Sequence, residues 1–241
     1  MTGTLVVTGA GGSHRGLVRD ANEDAILTDP TGVLWAVADG MGGHGHGDLA
    51  ADLVIDALAR VPHGDAGRAL LGAALGEAHA DIQARAEADG LGQIGATVVA
   101  LMLDHDRAVV GWAGDSRAYL YRDGALVPIT RDHSLVQELV DQAVLTPAEA
   151  EGHPQSNVVT RAIGVGDAAE PEFAELVVAA GDRLLLCSDG LTRVVPEAEI
   201  AARLAAAPDP ESACRALIEA ALAQGAPDNV SAVVVAIGEA P

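Results

Sequence analysis

The chain has 241 residues, with 35 acidic side chains against 14 basic ones, and every basic residue is Arg. The resulting formal charge of −21 argues against nucleic acid or an anionic membrane as a general partner. Its length suits one large domain, and because 49 % of the residues are apolar but only 2 % aromatic, the core must be built mostly from Ala, Val and Leu.

At the N-terminus, Thr2–Val7 is too short for the apolar region of a secretory signal and lacks a basic leader. No later stretch approaches 18 uninterrupted apolar residues, so no membrane span is expected. Ala25-Ile26-Leu27 and Val33–Val37 flank the turn-forming run Asp29-Pro30-Thr31-Gly32, which predicts a hairpin over 24–39. Reflection about that turn puts Asp24 opposite Asp39. Helices are predicted over 48–60 and 65–88. A second hairpin joins 96–101 to 108–112 through Asp104-His105-Asp106, and reflection sets Gly95 opposite Asp115. A third turns at Asp123-Gly124, between Tyr119–Tyr121 and Leu126-Val127.

A helix over 133–142 lies in the polar segment 131–158, which also contains the capping signal Thr146-Pro147-Ala148-Glu149. That segment is either a mobile flap over one end of the fold or an ordinary surface insertion. A strand over 184–189 precedes helices over 196–206 and 210–224. The second of these helices has Asp209 as cap, Pro210 in its first turn and Gly225 as its stop. A last strand covers 230–237. Strands adjacent in sequence read as antiparallel while helices come in blocks, the α+β pattern. Cys187, read as mid-strand, and Cys214, mid-helix, form no disulfide framework and are expected as reduced core residues of a cytoplasmic protein.

Four apolar runs meet an aspartate at their lip: Trp35–Asp39, Val110–Asp115, Leu184–Asp189 and, in reverse, Asp228–Val235. An acid at the end of a buried strand is costly unless something pairs with it. Hairpin reflection, and antiparallel placement of 184–189 beside 230–237, gather the four at one rim. Two carboxylates about 4 Å apart oppose each other by roughly 4 kcal/mol at an effective dielectric near 20. A hard divalent cation with oxygen ligands relieves that repulsion.

Six stretches in order carry a resemblance. They are Gly16–Asp24, Ala38–His44, Gly95-Ala96-Thr97, Gly114–Arg117, Ser188-Asp189-Gly190 and Asp228–Ser231. Together they resemble the metal-dependent protein phosphatases of the 2C type, serine/threonine phosphatases, in their compact bacterial form, over about Leu5 to Gly238. The resemblance implies a β-sandwich of two antiparallel sheets flanked by α-helices, with 1–241 forming a single monomeric catalytic domain. It implies two bridged Mn²⁺ or Mg²⁺ ions. Asp39 would bridge them, the Gly40 carbonyl would bind one, and Asp189 and Asp228 would complete the protein ligands. Asp115 would share a weaker third ion with Asp189. Glu23 and Asp24 would act through metal-bound water, Arg19 would grip the substrate phosphate, and His44 would serve as general acid. The partners implied are phosphorylated proteins, including serine/threonine kinases and their substrates.

The residues agree with this on their own terms. A phosphate dianion needs the field of an acidic rim inverted, which metals do. A guanidinium holds two phosphate oxygens at once. Cys187 and Arg193 have the five-residue separation of cysteine-dependent phosphatases, but Asp189 inside that loop would repel phosphate. A phosphoprotein-binding regulator without catalysis, and a two-metal hydrolase of small phosphate esters, are the other readings; retention of every expected acid and of Arg19 favours catalysis on phosphoproteins.

Overall fold

The computed structural model describes residues 5–43, 45–62 and 67–240. Strand β1 (Leu5–His14) is followed by β2 (Asp24–Thr28) and β3 (Leu34–Gly42), then by helices α1 (Gly47–Ala59) and α2 (Gly67–Asp89). Four strands follow: β4 (Ile94–Asp104), β5 (Arg107–Ala113), β6 (Arg117–Arg122) and β7 (Ala125–Pro128). Short helices α3 (Leu135–Asp141) and α4 (Pro147–Glu151) lead to β8 (Glu172–Val177) and β9 (Arg183–Cys187). The chain ends with α5 (Asp189–Thr192), α6 (Glu197–Ala206), α7 (Pro210–Ala223) and β10 (Val230–Glu239).

Two five-stranded antiparallel sheets result, ordered β1-β10-β9-β6-β7 and β2-β3-β4-β5-β8. Side chains alternate along a strand, and here both faces are covered, so the central strands read as unbroken apolar runs. In β3, Trp35 and Val37 point between the sheets while Ala36 and Ala38 point towards the first helix pair. In β10, Val233 and Val235 fill the interior while Ala232 and Val234 meet α6 and α7. The expected α+β sandwich with helices on both outer faces is therefore what the chain forms. Its core is dominated by Ala, Val and Leu, as the scarcity of aromatics requires. Among the described residues, no helix is long and apolar enough to cross a membrane.

The first hairpin has the predicted register, with Asp24 facing Asp39. The Asp29 carboxylate secures its turn by accepting hydrogen bonds from the backbone N–H of Thr31 and Leu34, at 2.8 and 3.2 Å. The second hairpin departs from reflection by one residue. His105 adopts a left-handed φ of 55°, which permits a two-residue turn with Asp104 opposite Arg107. Val98 therefore faces Ala113, where the β4–β5 ladder ends, and Gly95 lies beyond it with no partner in β5; on the other side of β4 it faces Met41 of β3. The third hairpin turns at Asp123-Gly124 as expected. Cys187 is the last residue of β9 rather than mid-strand, because the chain turns at once into α5, a single turn that its few residues did not announce.

Residues 131–158 leave and rejoin the body at one place. Leu135 N–H donates to Val158 O and Thr160 N–H to His133 O, at 2.9 and 2.8 Å. Between these ends lie α3 and α4, and α4 opens with the predicted capping box of Thr146 and Glu149. The buried His133 ring stacks on Trp112, with centroids 6.0 Å apart, and its Nδ1 accepts from Gly114 N–H at 3.2 Å.

Strand β1 lies close over the interior because of its glycines. A Cβ on Gly9 would sit 2.5 Å from Trp35 Nε1. Gly9→Ala should therefore cost about 1–3 kcal/mol through overpacking. Gly76→Ala, on α2 where a Cβ meets nothing within 4 Å, should instead add about 0.5–1 kcal/mol. Urea unfolding of the two variants checks the opposite signs.

Candidate metal centre

Strand pairing carries the acids to one end of the sandwich. Asp24 opens β2 and faces Asp39 near the end of β3. Strands β9 and β10 are neighbours with Cys187 opposite Ala232, so Asp189 and Asp228 leave the sheet at the same end. Ser188 N–H donates to Ser231 O at 3.1 Å, which holds the two lips together. Asp115 follows β5 and stands against the same guanidinium as Asp189.

The five carboxylates lie in one another's fields. Burial, and then Asp24, Asp189, Asp115 and Asp228, hold the Asp39 carboxyl well above the usual carboxylate range. Burial and Asp115 do the same to Asp189, against the opposing pull of Arg193. Asp115 is raised by burial and partly relieved by Arg193. Asp24 is pushed up to about 6, chiefly by burial, with hydrogen bonds from Ser231 and Ser188 working the other way. Among the described residues, Asp24 Oδ1 and Asp189 Oδ1 are buried without a hydrogen-bond partner. Such orphaned acceptors fit a hard cation.

Several residues of the motifs support the rim acids although the resemblance assigns them no role. Ser188 and Ser231 both donate to Asp24 Oδ2, at 2.8 and 2.6 Å. Asn229 Nδ2 donates to Arg15 O and Ala21 O, each at 2.9 Å, and its Oδ1 accepts from Glu23 N–H at 2.8 Å. This buried amide thereby braces both ends of the loop that carries Arg19. Glu23 Oε1 accepts from Gly47 N–H at 3.0 Å, while Gly40 N–H donates to Glu23 O at 3.0 Å. The Gly40 position is closed to any side chain, since a Cβ there would lie 2.0 Å from Gly47 O. Their signal was adjacency: each of Ser188, Asn229 and Ser231 lies within three residues of a rim acid.

Two guanidinium groups enter the cluster. Arg19 Nη2 meets Asp228 Oδ2 at 2.8 Å, and Arg193 Nη2 contacts both Asp189 Oδ2 and Asp115 Oδ2. Among the described residues, no three acidic, imidazole or thiol groups converge as a closed ligand set; the arginines hold the carboxylates as ion pairs. His44 lies outside the described residues. Cys187 is fully buried, and burial pushes its thiol up to about 12, so thiolate attack has no support there.

A sandwich of two antiparallel sheets, helix pairs on both faces and five aspartates gathered from both sheets at one end define the metal-dependent phosphatase class. A family model described as Protein phosphatase 2C matches residues 8–229, and the chain belongs to that family. It is 44 % identical over 235 residues to the serine/threonine protein phosphatase PstP of Mycobacterium tuberculosis, covering 96 % of this chain and 45 % of that protein. The chain thus spans less than half the length of that relative. It is 33 % identical over 239 residues to the serine/threonine phosphatase stp of Listeria monocytogenes, covering 92 % of this chain and 93 % of that one. The crystal structure of the PstP catalytic domain in complex with 2 manganese ions superposes with a TM-score of 0.90, at 41 % identity, over 98 % of this chain and 100 % of that one.

Raised folded-state pKa values mean that the folded rim binds protons more tightly than the unfolded chain. The stability this contributes is complete below the ordinary carboxylate range and is lost as pH rises through the raised values, about 6 for Asp24. Chelator-treated protein should therefore melt at a higher temperature near about pH 5 than near about pH 7. Differential scanning calorimetry in the presence of chelator reads this directly; the reverse order would contradict the electrostatic reading of the rim. A second expectation concerns Asn229. Asn229→Ala should lower stability by about 1–3 kcal/mol in urea, because three backbone groups lose their partner.

Proposed function

We propose that the chain hydrolyses phosphoserine and phosphothreonine monoesters on proteins, in a reaction dependent on Mn²⁺ or Mg²⁺. The observation that carries this reading is the gathering of five mutually repelling aspartates, two with orphaned buried oxygens, at one end of a protein phosphatase 2C fold. It is supported by the relatives, which bear the name of serine/threonine phosphatases, and by the two manganese ions in the PstP catalytic domain. In this reading Asp39 bridges two cations, the Gly40 carbonyl binds one, and Asp189 and Asp228 complete the protein ligands. Asp115 shares a weaker third cation with Asp189.

Bound divalent cations supply the positive field that admits a phosphate dianion and the acidity that prepares water for attack. The chain's own residues do the rest. Asp24, held by Ser188 and Ser231, and Glu23, held by Gly47 N–H, orient water at the rim. Arg19 turns from Asp228 to two phosphate oxygens, with its loop braced by Asn229. As the water oxygen bonds to phosphorus and gives up one proton to solvent, the bond to the seryl or threonyl oxygen breaks, and the protonated imidazole of His44 gives its proton to that leaving oxygen and regains one from solvent.

In the same reading, residues 1–241 contain a single catalytic domain, and 131–158 act as a flap over the phosphopeptide. The roots of that segment lie beside Asp115, through the contact of His133 with Gly114. Phosphorylated kinases and their substrates are the partners proposed. A cytoplasmic setting accords with two free buried thiols, Cys187 and Cys214.

Asp39→Asn should reduce kcat on a phosphothreonine peptide by orders of magnitude while leaving the far-UV circular dichroism unchanged, and excess EDTA should do the same to the unaltered protein. Arg19→Ala should mainly raise KM, by about tenfold or more, the scale of a lost charge-assisted hydrogen bond. Undiminished turnover by Asp39→Asn or in EDTA refutes the two-metal reading.

A further inference from the structure

Arg193 is not absorbed by the reaction described above, although it is embedded in the rim. It caps the single turn α5, and its backbone N–H donates to Asp189 O at 2.9 Å. Its Nη2 contacts Asp189 Oδ2 one turn back and reaches Asp115 Oδ2 at 3.4 Å. These two acids follow strands of different sheets, β9 and β5, so one guanidinium spans the gap between the sheets. The neighbouring Arg117 is already committed, with Nε and Nη2 donating to the two Asp132 oxygens at 2.8 and 2.7 Å. Arg193 is therefore the cation in contact with this pair of acids among the described residues.

The match is incomplete in charge and in hydrogen bonding. One positive charge faces two buried carboxylates, and Asp189 Oδ1 remains buried without a partner. A divalent ion would satisfy both deficits, and it would have to compete for carboxylate oxygens that the guanidinium already contacts. The Arg193 side chain is about one-third exposed, 31 %, against 7 % and 12 % for the Asp115 and Asp189 side chains. Its backbone is held by α5, so the side chain can swing into solvent without any change in the main chain.

We propose that Arg193 is a built-in counter-cation that competes with a divalent metal ion for the Asp115–Asp189 pair and so sets a high concentration threshold for filling that outer position. The proposal rests on the reading of Asp115 and Asp189 as metal carboxylates. In the metal-free protein the guanidinium holds the two sheets' acids together; at high metal concentration it is displaced to solvent. Removal of Arg193 should tighten metal binding and weaken the metal-free fold, opposite effects that a purely structural ion pair would not produce together.

The test is Mn²⁺ binding to chelator-stripped protein, followed by isothermal titration and by the electron paramagnetic resonance signal of free Mn²⁺. The proteins are the unaltered chain, Arg193→Gln, Arg193→Lys and Asp115→Asn. Arg193→Gln should bind the weakest Mn²⁺ at least about tenfold more tightly, as expected for removal of a charge a few ångströms from the ion. Its melting temperature without metal should fall, and its rise on adding Mn²⁺ should exceed that of the unaltered protein. Arg193→Lys, which keeps the charge, should stay near the unaltered affinity and serves as the reference if Arg193→Gln folds poorly. Asp115→Asn should remove the weak site. If Asp115→Asn removes it but Arg193→Gln leaves its affinity unchanged or weaker, competition by Arg193 is wrong while the metal reading stands. If Asp115→Asn leaves the isotherm intact, the metal reading of Asp115 is wrong, and the proposal falls with it.

Discussion

Repulsion among five carboxylates at one end of a sandwich is the constraint around which this protein is built. Each acid alone would be a tolerable turn residue. Brought together and partly buried, Asp24, Asp39, Asp115 and Asp189 bind protons more tightly than free carboxylates do, and the cluster draws any cation in reach. Ion pairs with Arg19 and Arg193 and hydrogen bonds from Ser188 and Ser231 relieve part of that repulsion, and the remainder is opposed from elsewhere. The force comes from the apolar interior, where Trp35, Val37, Leu101, Leu184 and Val235 lock the two sheets face to face behind the acids. Stability made in the core is thus expended at the rim, a common arrangement where a site must be ready before its ligand arrives.

Hydrogen bonds then give the rim its shape. Asp24, at the start of β2, is fixed by Ser188, just after β9, and by Ser231 of β10, so its position reports the joining of both sheets. Asn229 ties the Arg19 loop to the start of β10 through three contacts with backbone groups. The glycines belong to the same design. Gly40 and Gly190 approach the backbone of Gly47 and Asn229 so closely that any side chain would force the acid-bearing segments apart. The motifs are therefore as much about close main-chain approach as about the acids they contain.

Much of this was readable from residue order. The turn residues Asp29-Pro30-Thr31-Gly32 and the flanking apolar runs were enough to pair Asp24 with Asp39, because antiparallel register is set locally by the turn. The second hairpin shows the limit of that argument. A histidine at positive φ shortened the turn and moved the register by one, which displaced Gly95 from Asp115. Composition could not foresee that a non-glycine residue would accept this conformation. Helix α5 was hidden for another reason: four residues are too few to show a period. The capping box of Thr146 was legible because its donors and acceptors lie within one turn.

By itself, the sequence determined the α+β pattern, the composition of its core and the set of acids at its rim, and the sandwich followed from the family that its six motifs resemble. The pattern and the rim follow from apolar runs and turn chemistry, which act over short separations along the chain. Only the tertiary structure decided which cation stands against which acid. Arg19 meets Asp228 across 209 positions, and Arg193 reaches Asp115 across 78. Reach of that kind depends on how the two sheets pack and on which guanidinium is already engaged, as Arg117 is by Asp132. Spacing alone grouped Arg193 with Cys187. Packing instead buried the thiol and turned the arginine towards the carboxylates, because an ion pair at the rim relieves a repulsion that a thiol cannot.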